Sequence, residues 1–424
     1  MKYYFLGIGG VSMSALAVLL KSEGGYVCGY DEKDSRGVEI LKENKIEVDF
    51  EFRKERFDWA DVIVYSSAIK SDNPLFEYAK KTKKRLMCRG QLLEKISSQY
   101  EKVIAVAGAH GKTTVTSMIF EVLKVAGKNP TLHLGGYKLD GGKNYSLGEK
   151  EFFVTEACEY CDNFLYLHPY LSIVTNIEKE HLDYFKTFEN ELESFKQFKA
   201  QSRFVIDSAS DICAKNLRHD KMGRLCFGLW KEKTKIMNLK LKVCEDVNAQ
   251  NCIFTYKACK LLGIDDCLIK QGLENYQGVQ LRFQKATSPF FDNVICDYAH
   301  HPTEISKAIA SAKKIYKNKK LIVVFQPHTY SRTKMLQNEF LQVFKDEYLP
   351  ILYKTYAARE RPEEGVGAKE FGKKLKKINK NAKYFENFEL LRAFLQKYDK
   401  NKTVLLFVGA GDLPEVLHKN NFIS

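Results

Sequence analysis

Short apolar runs alternate with amphipathic stretches along most of the chain. Tyr3–Leu6, Tyr26–Tyr30 and Val62–Tyr65 read as strands, and Val11–Glu23, Val38–Glu43 and Pro74–Lys83 as the helices that follow them. Such βα alternation predicts a parallel, doubly wound sheet. The pattern restarts at Val103–Ala107, ahead of a helix over Thr113–Ala126, with further strands at Phe152–Thr155 and Leu171–Thr175. It restarts again at Val294–Asp297, with a helix from Thr303 and strands at Leu321–Phe325, Ile351–Tyr353 and Val404–Val408. The restarts predict three α/β domains, over 1–89, 90–278 and 279–424, with boundaries near Cys88–Gly90 and Tyr276–Phe283.

Composition changes this picture little. A chain of 424 residues with 45% hydrophobic content has ample core material. No apolar run reaches the ~18 residues that span a bilayer. Met1–Gly7 carries one charge and runs into a glycine turn, unlike a secretory leader, so the expected location is the cytoplasm. The 11 cysteines are scattered, and the one C-x-x-C, Cys158 and Cys161, has no second pair to complete a zinc site; it reads as two small residues flanking Glu159. The net charge of +14 lies in lysine-rich stretches that read as solvated helix faces. Neither a nucleic-acid nor a membrane partner is expected. A positive field does favour a polyanionic small substrate such as a nucleotide.

Candidate chemistry sits at strand ends. Gly7-Ile8-Gly9-Gly10 follows the first strand and opens the first helix, and Asp31 ends the second. That pair matches a dinucleotide site, with Ser12 where the third glycine belongs. Gly108-Ala109-His110-Gly111-Lys112-Thr113-Thr114 is the stronger signal: a strand, a phosphate loop and a helix, although Val106 stands where the first glycine is usual. Backbone amides would wrap phosphates, Lys112 would reach the β/γ oxygens and Thr113 would bind Mg²⁺. Glu156 ends the next strand, where a second Mg²⁺ ligand belongs, and His181 lies among acids after another. Asp297–Glu304 and Phe325–Arg332 close two further strands with histidines; His328 and Arg332 can donate to a carboxylate.

Taken in order, these residues resemble the Mur ligase family, nearly end to end. The likeness includes Phe5–Gly10, Ser66-Ser67-Ala68-Ile69, Gly108–Thr114, Thr175–Glu178 with His181, Asn248 with Asn251, Arg282-Phe283, Asp297–Glu304, Phe325–Thr333 and Gly409–Asp412. It implies a Rossmann-like N-terminal domain, a P-loop ATPase central domain and a Rossmann-like C-terminal domain. The Gly7, Gly9 and Gly10 turn, with Ser66 and Ser67, would then hold the UDP group of a sugar nucleotide. Gly108 to Thr114, Asn248, Asn251, Arg282 and Asp297 would bind ATP. Lys112, Glu156 and His181 would be catalytic, with Thr113, Glu156 and His181 holding Mg²⁺. His300, His328 and Arg332 would receive the amino acid. The implied reaction joins L-alanine to UDP-N-acetylmuramate through an acyl phosphate, in a monomer or homodimer. A recycled tripeptide on the same acceptor is the alternative within the family. An NAD-dependent oxidoreductase built on Gly7–Gly10 and Asp31, and a nucleotide-binding regulator without turnover, are the alternatives outside that activity. The chain departs from the family pattern at Val247, Glu180, Cys158, Cys296 and Leu281, and between Arg203 and Asp246 it is shorter than the pattern predicts.

Overall fold

The computed structural model describes the chain except for residues 67, 68, 70, 71, 180, 209, 346, 347, 359 and 364 and the side chains of 182 and 183. It forms two compact units, the first comprising Met1–Arg218, Cys226–Val243 and Asn248–Val279, the second His219–Leu225, Cys244–Val247 and Gln280–Ser424.

The first unit opens with β1 (Lys2–Leu6), β2 (Tyr26–Tyr30), β3 (Glu47–Asp49), β4 (Val62–Tyr65) and β5 (Arg85–Cys88), in the order β3-β2-β1-β4-β5. All four pairings are parallel. Strand order reverses between β1 and β4, so the glycine turn after β1 lies at a topological switch point, where open α/β sheets bind ligands. A second sheet follows: β6 (Lys102–Ala107), β7 (Thr131–His133), β8 (Tyr145–Ser146), β9 (Phe152–Glu156), β10 (Leu171–Val174) and β11 (Phe204–Ile206), in the order β11-β10-β6-β9-β7-β8. Only β8 runs antiparallel to its neighbour. β12 (Ile212–His219), β13 (Leu225–Lys231) and β14 (Thr234–Lys240) form a separate three-stranded sheet in the stretch that reads as shortened.

The second unit is built on β15 (Gln284–Ala286), β16 (Val294–Asp297), β17 (Lys320–Phe325), β18 (Leu349–Tyr353), β19 (Lys383–Phe385) and β20 (Thr403–Val408), ordered β15-β16-β20-β17-β18-β19. It is parallel apart from β15. Apolar clusters cover both faces, around Val323 and Phe340 on one side and Val324 and Leu391 on the other.

Helix starts follow local chemistry. Asn73 accepts from the N–H groups of Leu75 and Phe76 ahead of Pro74 in the first turn. His301 caps Pro302–Ile315, and the Glu304 carboxylate accepts from the His301 N–H in return. Among the described residues no helix is long and apolar enough to cross a membrane.

The three expected α/β sheets are all present, and the first two share one core within the first compact unit. A single cluster of buried residues runs from Phe5 and Leu16 to Val103, Phe153, Phe164, Phe195 and Phe198. Phe164 stacks on Phe198 at 4.7 Å between ring centroids and meets Phe195 edge-on at 5.2 Å. Phe198→Ala should therefore cost about 3–5 kcal/mol. Urea unfolding followed at 222 nm would check this; a loss below about 1 kcal/mol would mean that the cluster repacks freely.

Candidate active site

The phosphate loop joins β6 to the helix Lys112–Val125. Its bends need glycine: Gly108 has φ +123° and Gly111 has φ +86°. A Cβ on Gly108 would lie 2.4 Å from Thr175 Oγ1, and one on Gly111 would lie 2.8 Å from Asn251 Oδ1. The loop's middle is pinned by the end of β10. Asn176 accepts from the His110 N–H (2.9 Å) and donates to the His110 carbonyl (3.0 Å), which also accepts from Thr175 Oγ1 (2.6 Å). His110 Nε2 lies 3.2 Å from Glu178.

Lys112 extends back over the loop. Its ammonium donates to the carbonyls of Gly108 (2.5 Å) and Ala109 (3.3 Å) and to Glu159 Oε1 (3.1 Å). Glu159 is buried. Burial alone would raise its carboxyl, but the Lys112 charge and the His181 hydrogen bond outweigh that and hold it down at about 2. His181 Nε2 lies 3.4 Å from the same oxygen and packs its ring on Tyr160 at 4.8 Å. One step back along the chain, Glu156 accepts from Thr113 Oγ1 (2.9 Å) on one oxygen and from the Gly135 N–H (2.6 Å) on the other. Asn248 and Asn251 are buried on the helix Val247–Leu261 and bonded to each other at 3.0 Å. Thus Gly108, Ala109, His110, Gly111, Lys112, Thr113, Thr114, Glu156, His181 and Asn251 converge. His181 meets Glu159, with Glu156 facing Thr113 instead.

The glycine turn is also in the first unit. The N–H groups of Gly7 and Ile8 go to the Tyr30 carbonyl, that of Gly10 to Gly7, and that of Gly9 to Asp31 Oδ2 at 2.8 Å. Asp31 also accepts from the Lys33 N–H at 3.3 Å, so its carboxylate closes the turn, where the dinucleotide reading placed a ribose contact. The helix Val11–Ser22 starts at Gly10 with no side-chain cap and no acid in its first turn. Its opening amides keep their partial positive charge. Beside them lies Arg89, only 9% exposed, whose Nη1 donates to Ser12 Oγ at 3.3 Å. Ser66 stands directly after β4; Ser67 lies outside the described residues.

In the second unit Asp297 ends β16 and accepts from the Phe283 and Ala299 N–H groups, both at 2.6 Å. Burial raises its carboxyl even so, against the pull of Arg282. Arg282 lies over the Tyr298 ring at 5.4 Å and 3.9 Å from Glu304. His300 and His328 face each other at 6.2 Å. Burial drives both below the ordinary range, to about 3 and about 4, and Arg332 adds to the effect. Neutral imidazoles carry one N–H each, and their partners fix which. His300 Nδ1 donates to the Tyr298 carbonyl (3.0 Å), leaving Nε2 to accept. His328 Nδ1 accepts from Arg332 (3.3 Å), leaving Nε2–H to donate. The pair presents an acceptor and a donor, with a guanidinium beside the donor.

The first unit is that of a phosphate-binding α/β enzyme: a Gly-Lys-Thr loop at the end of a central parallel strand, with one carboxylate ending the next strand and a second three residues beyond it. Comparison with known proteins narrows this further. Family models match in succession: the Mur ligase family, catalytic domain over residues 2–101, the Mur ligase middle domain over 106–261 and the Mur ligase, glutamate ligase domain over 282–411. The UDP-N-acetylmuramate–L-alanine ligase of Caldicellulosiruptor bescii is 34% identical, over 98% of this chain and 97% of the relative. The solved UDP-N-acetylmuramate-alanine ligase of Thermotoga maritima aligns with a TM-score of 0.86 at 26% identity, covering 99% of this chain and 98% of the other. A murein peptide ligase of Psychrobacter arcticus shares the fold at a TM-score of 0.71 and 20% identity, over 99% and 98%. The chain belongs to the Mur ligase family.

Sequence reasoning passed over Glu159, Arg89, His133 and Asn176 as site residues. Glu159 had a signal, three residues after Glu156 and beyond the strand end, but it reads there as filler between two cysteines. Glu159 yields a test. Its folded pKa of about 2 lies below the ordinary 4.5, so the paired carboxylate stabilises the fold above pH 4.5, and that stability is lost as pH falls toward 2. At about 1.4 kcal/mol per pH unit the contribution is on the order of 3 kcal/mol. Denaturant midpoints should fall more steeply between about pH 5 and pH 3 for the wild type than for Glu159→Gln. Parallel curves would remove this carboxylate as the cause.

Proposed function

We propose that this chain joins L-alanine to UDP-N-acetylmuramate, using ATP, in peptidoglycan precursor synthesis. The family membership supplies the reaction class, and the named relatives supply the substrates. The observation that carries the reading is the convergence of Lys112, Thr113, Glu156 and Glu159 at one strand edge. There a polyphosphate meets loop amides and one fixed ammonium, while the carboxylates hold the cation side of the site.

Thr113 Oγ1 and the Glu156 carboxylate are hard oxygen donors 2.9 Å apart, a set that suits Mg²⁺. The ion would screen the repulsion between triphosphate and substrate carboxylate. The remaining work falls to the chain. Lys112, already aimed over the loop, steadies charge on the transferred phosphoryl group. Asn248 and Asn251 stand on the adenine side. In the second unit, Arg282 and Asp297 are the residues that the family resemblance assigns to the nucleotide. The sugar nucleotide's diphosphate lies on the opening amides of the first helix, beside Gly7, Gly9, Gly10 and Ser66, with Arg89 as counter-charge.

A zwitterionic amino acid suits the two histidines. Its carboxylate takes the His328 N–H and the Arg332 guanidinium, and its ammonium takes the bare nitrogen of His300. Once deprotonated, the amine attacks the acyl phosphate made from the sugar's carboxylate, and phosphate leaves.

The test is phosphate release with ATP, Mg²⁺ and UDP-N-acetylmuramate, comparing L-alanine, glycine, L-serine and L-Ala-γ-D-Glu-diaminopimelate. Release that depends on both the sugar nucleotide and L-alanine is expected; tripeptide-dependent release, or none, would overturn the assignment. Lys112→Ala should lower turnover by about 10²-fold or more. The UDP-sugar Kd, measured by calorimetry, should move by less than about threefold, since the two sites occupy different sheets. The variant leaves Glu159 buried beside a lost cation, so Lys112→Ala combined with Glu159→Gln serves as the folded control. Equal loss of turnover and sugar binding in that control would contradict the division of labour.

A further inference from the structure

A chain of buried and half-buried polar groups links the two sites of the first unit, and the activity proposed above has not used it. His133, 1% exposed, ends β7 in register with Thr155 of β9, so the sheet ladder fixes their spacing. Its Nδ1 lies 2.8 Å from Thr155 Oγ1, and its Nε2 lies 2.9 Å from Ser12 Oγ in the first turn of the first helix.

The direction of every proton in this chain is forced from both ends. The Glu156 carbonyl can only accept, so the Thr155 hydroxyl, 2.9 Å away, spends its one proton there. Thr155 must then accept from His133, which places the imidazole proton on Nδ1. Burial keeps the ring neutral, so Nε2 is bare and accepts from the Ser12 hydroxyl. The Ser12 oxygen in turn accepts from Arg89, which can only donate. The donors run one way, from Arg89 to Glu156, and no group in the series is frustrated.

The far end of this chain is not arbitrary. Gly135, two residues beyond His133, donates its N–H to the Glu156 carboxylate at 2.6 Å, and the other carboxylate oxygen takes Thr113. The stretch from His133 to Gly135 therefore holds both the main chain and the side chain of Glu156. At the near end, Asn144 adds a second grip, donating to the Val11 carbonyl (2.5 Å) and to Ser14 Oγ (3.1 Å). The first turn of the helix is held at residues 11, 12 and 14, on the element whose amides face the glycine turn.

We propose that Ser12, His133 and Thr155 form a one-way hydrogen-bond relay that makes His133 a positioning residue, coupling occupancy of the sugar-nucleotide turn to the placement of Glu156 in the phosphate site. The proposal rests on the reading of these two sites given above. A core histidine that only fills space would give packing without coupling.

The measurement is the Kd of UDP-N-acetylmuramate by calorimetry, with and without saturating Mg·ADP, on the full chain. In the wild type, Mg·ADP should change that Kd by about fivefold or more. His133→Phe keeps a planar ring but neither hydrogen bond, and Ser12→Ala cuts the relay at its other end with little risk to folding. In both, the ADP effect should fall below about twofold, while His133→Gln, which keeps a donor and an acceptor, should retain most of it. Wild-type coupling in Ser12→Ala and His133→Phe, or no coupling in the wild type although both ligands bind, would overturn the relay and leave the ligase reading standing. A wild type that binds no UDP-N-acetylmuramate at all would overturn both.

Discussion

Parallel pairing of β10, β6 and β9 is the constraint on which the phosphate site depends. Ala107 lies beside Val174, and Val106 beside Glu156. Parallel strands end on the same edge. The loop after β6, the acid that ends β9 and the polar pair after β10 therefore arrive together with no further device. The register also explains why Gly108 is glycine, since Thr175 fills the space that a Cβ would need. A one-residue slip would turn Glu156 to the other face and bring Thr155 to the loop.

Placing charge at that edge has a cost. Lys112 and Glu159 are both largely withdrawn from water, and an isolated carboxylate there would be neutral. The ammonium, His181 and Glu159's own backbone N–H together outweigh desolvation and hold the acid low. Replacing such a pair with apolar groups is often neutral or stabilising. Its presence at a strand edge therefore favours chemistry over stability as its reason. It holds an ammonium still over the loop, against the Gly108 and Ala109 carbonyls.

The sheet cores were legible because central parallel strands read as unbroken apolar runs: Tyr26–Tyr30, Val62–Tyr65 and Val294–Asp297 have the expected bounds. Short edge strands such as Glu47–Asp49, Arg85–Cys88 and Lys383–Phe385 gave no such signal, being brief and charged. Gly108 to Thr113 and Glu156 were legible because local sequence carries them, and Asn251 only through the family resemblance. Arg89 and His133 were not, since each acts on Ser12 across 77 and 121 residues of sequence, a distance that no local pattern encodes. Merging of the first two sheets was equally hidden, because each sheet by itself satisfies the doubly wound pattern.

Asp31 shows how a correct motif can carry the wrong chemistry. The glycine turn and an acid at the end of β2 match a dinucleotide fingerprint. Here the acid is spent on the Gly9 amide, and the other turn amides go to backbone carbonyls. The turn is thereby a rigid base more than a cradle. Positive character is left to the opening amides of the helix and to Arg89, whose hydrogen bond is to a neutral serine and whose charge is nearly buried. A nearly buried guanidinium of that kind suits an anionic ligand. A diphosphate meets that requirement without any ribose contact at Asp31, so the same residues that suggest an oxidoreductase in the sequence fit a sugar-nucleotide ligase in the fold.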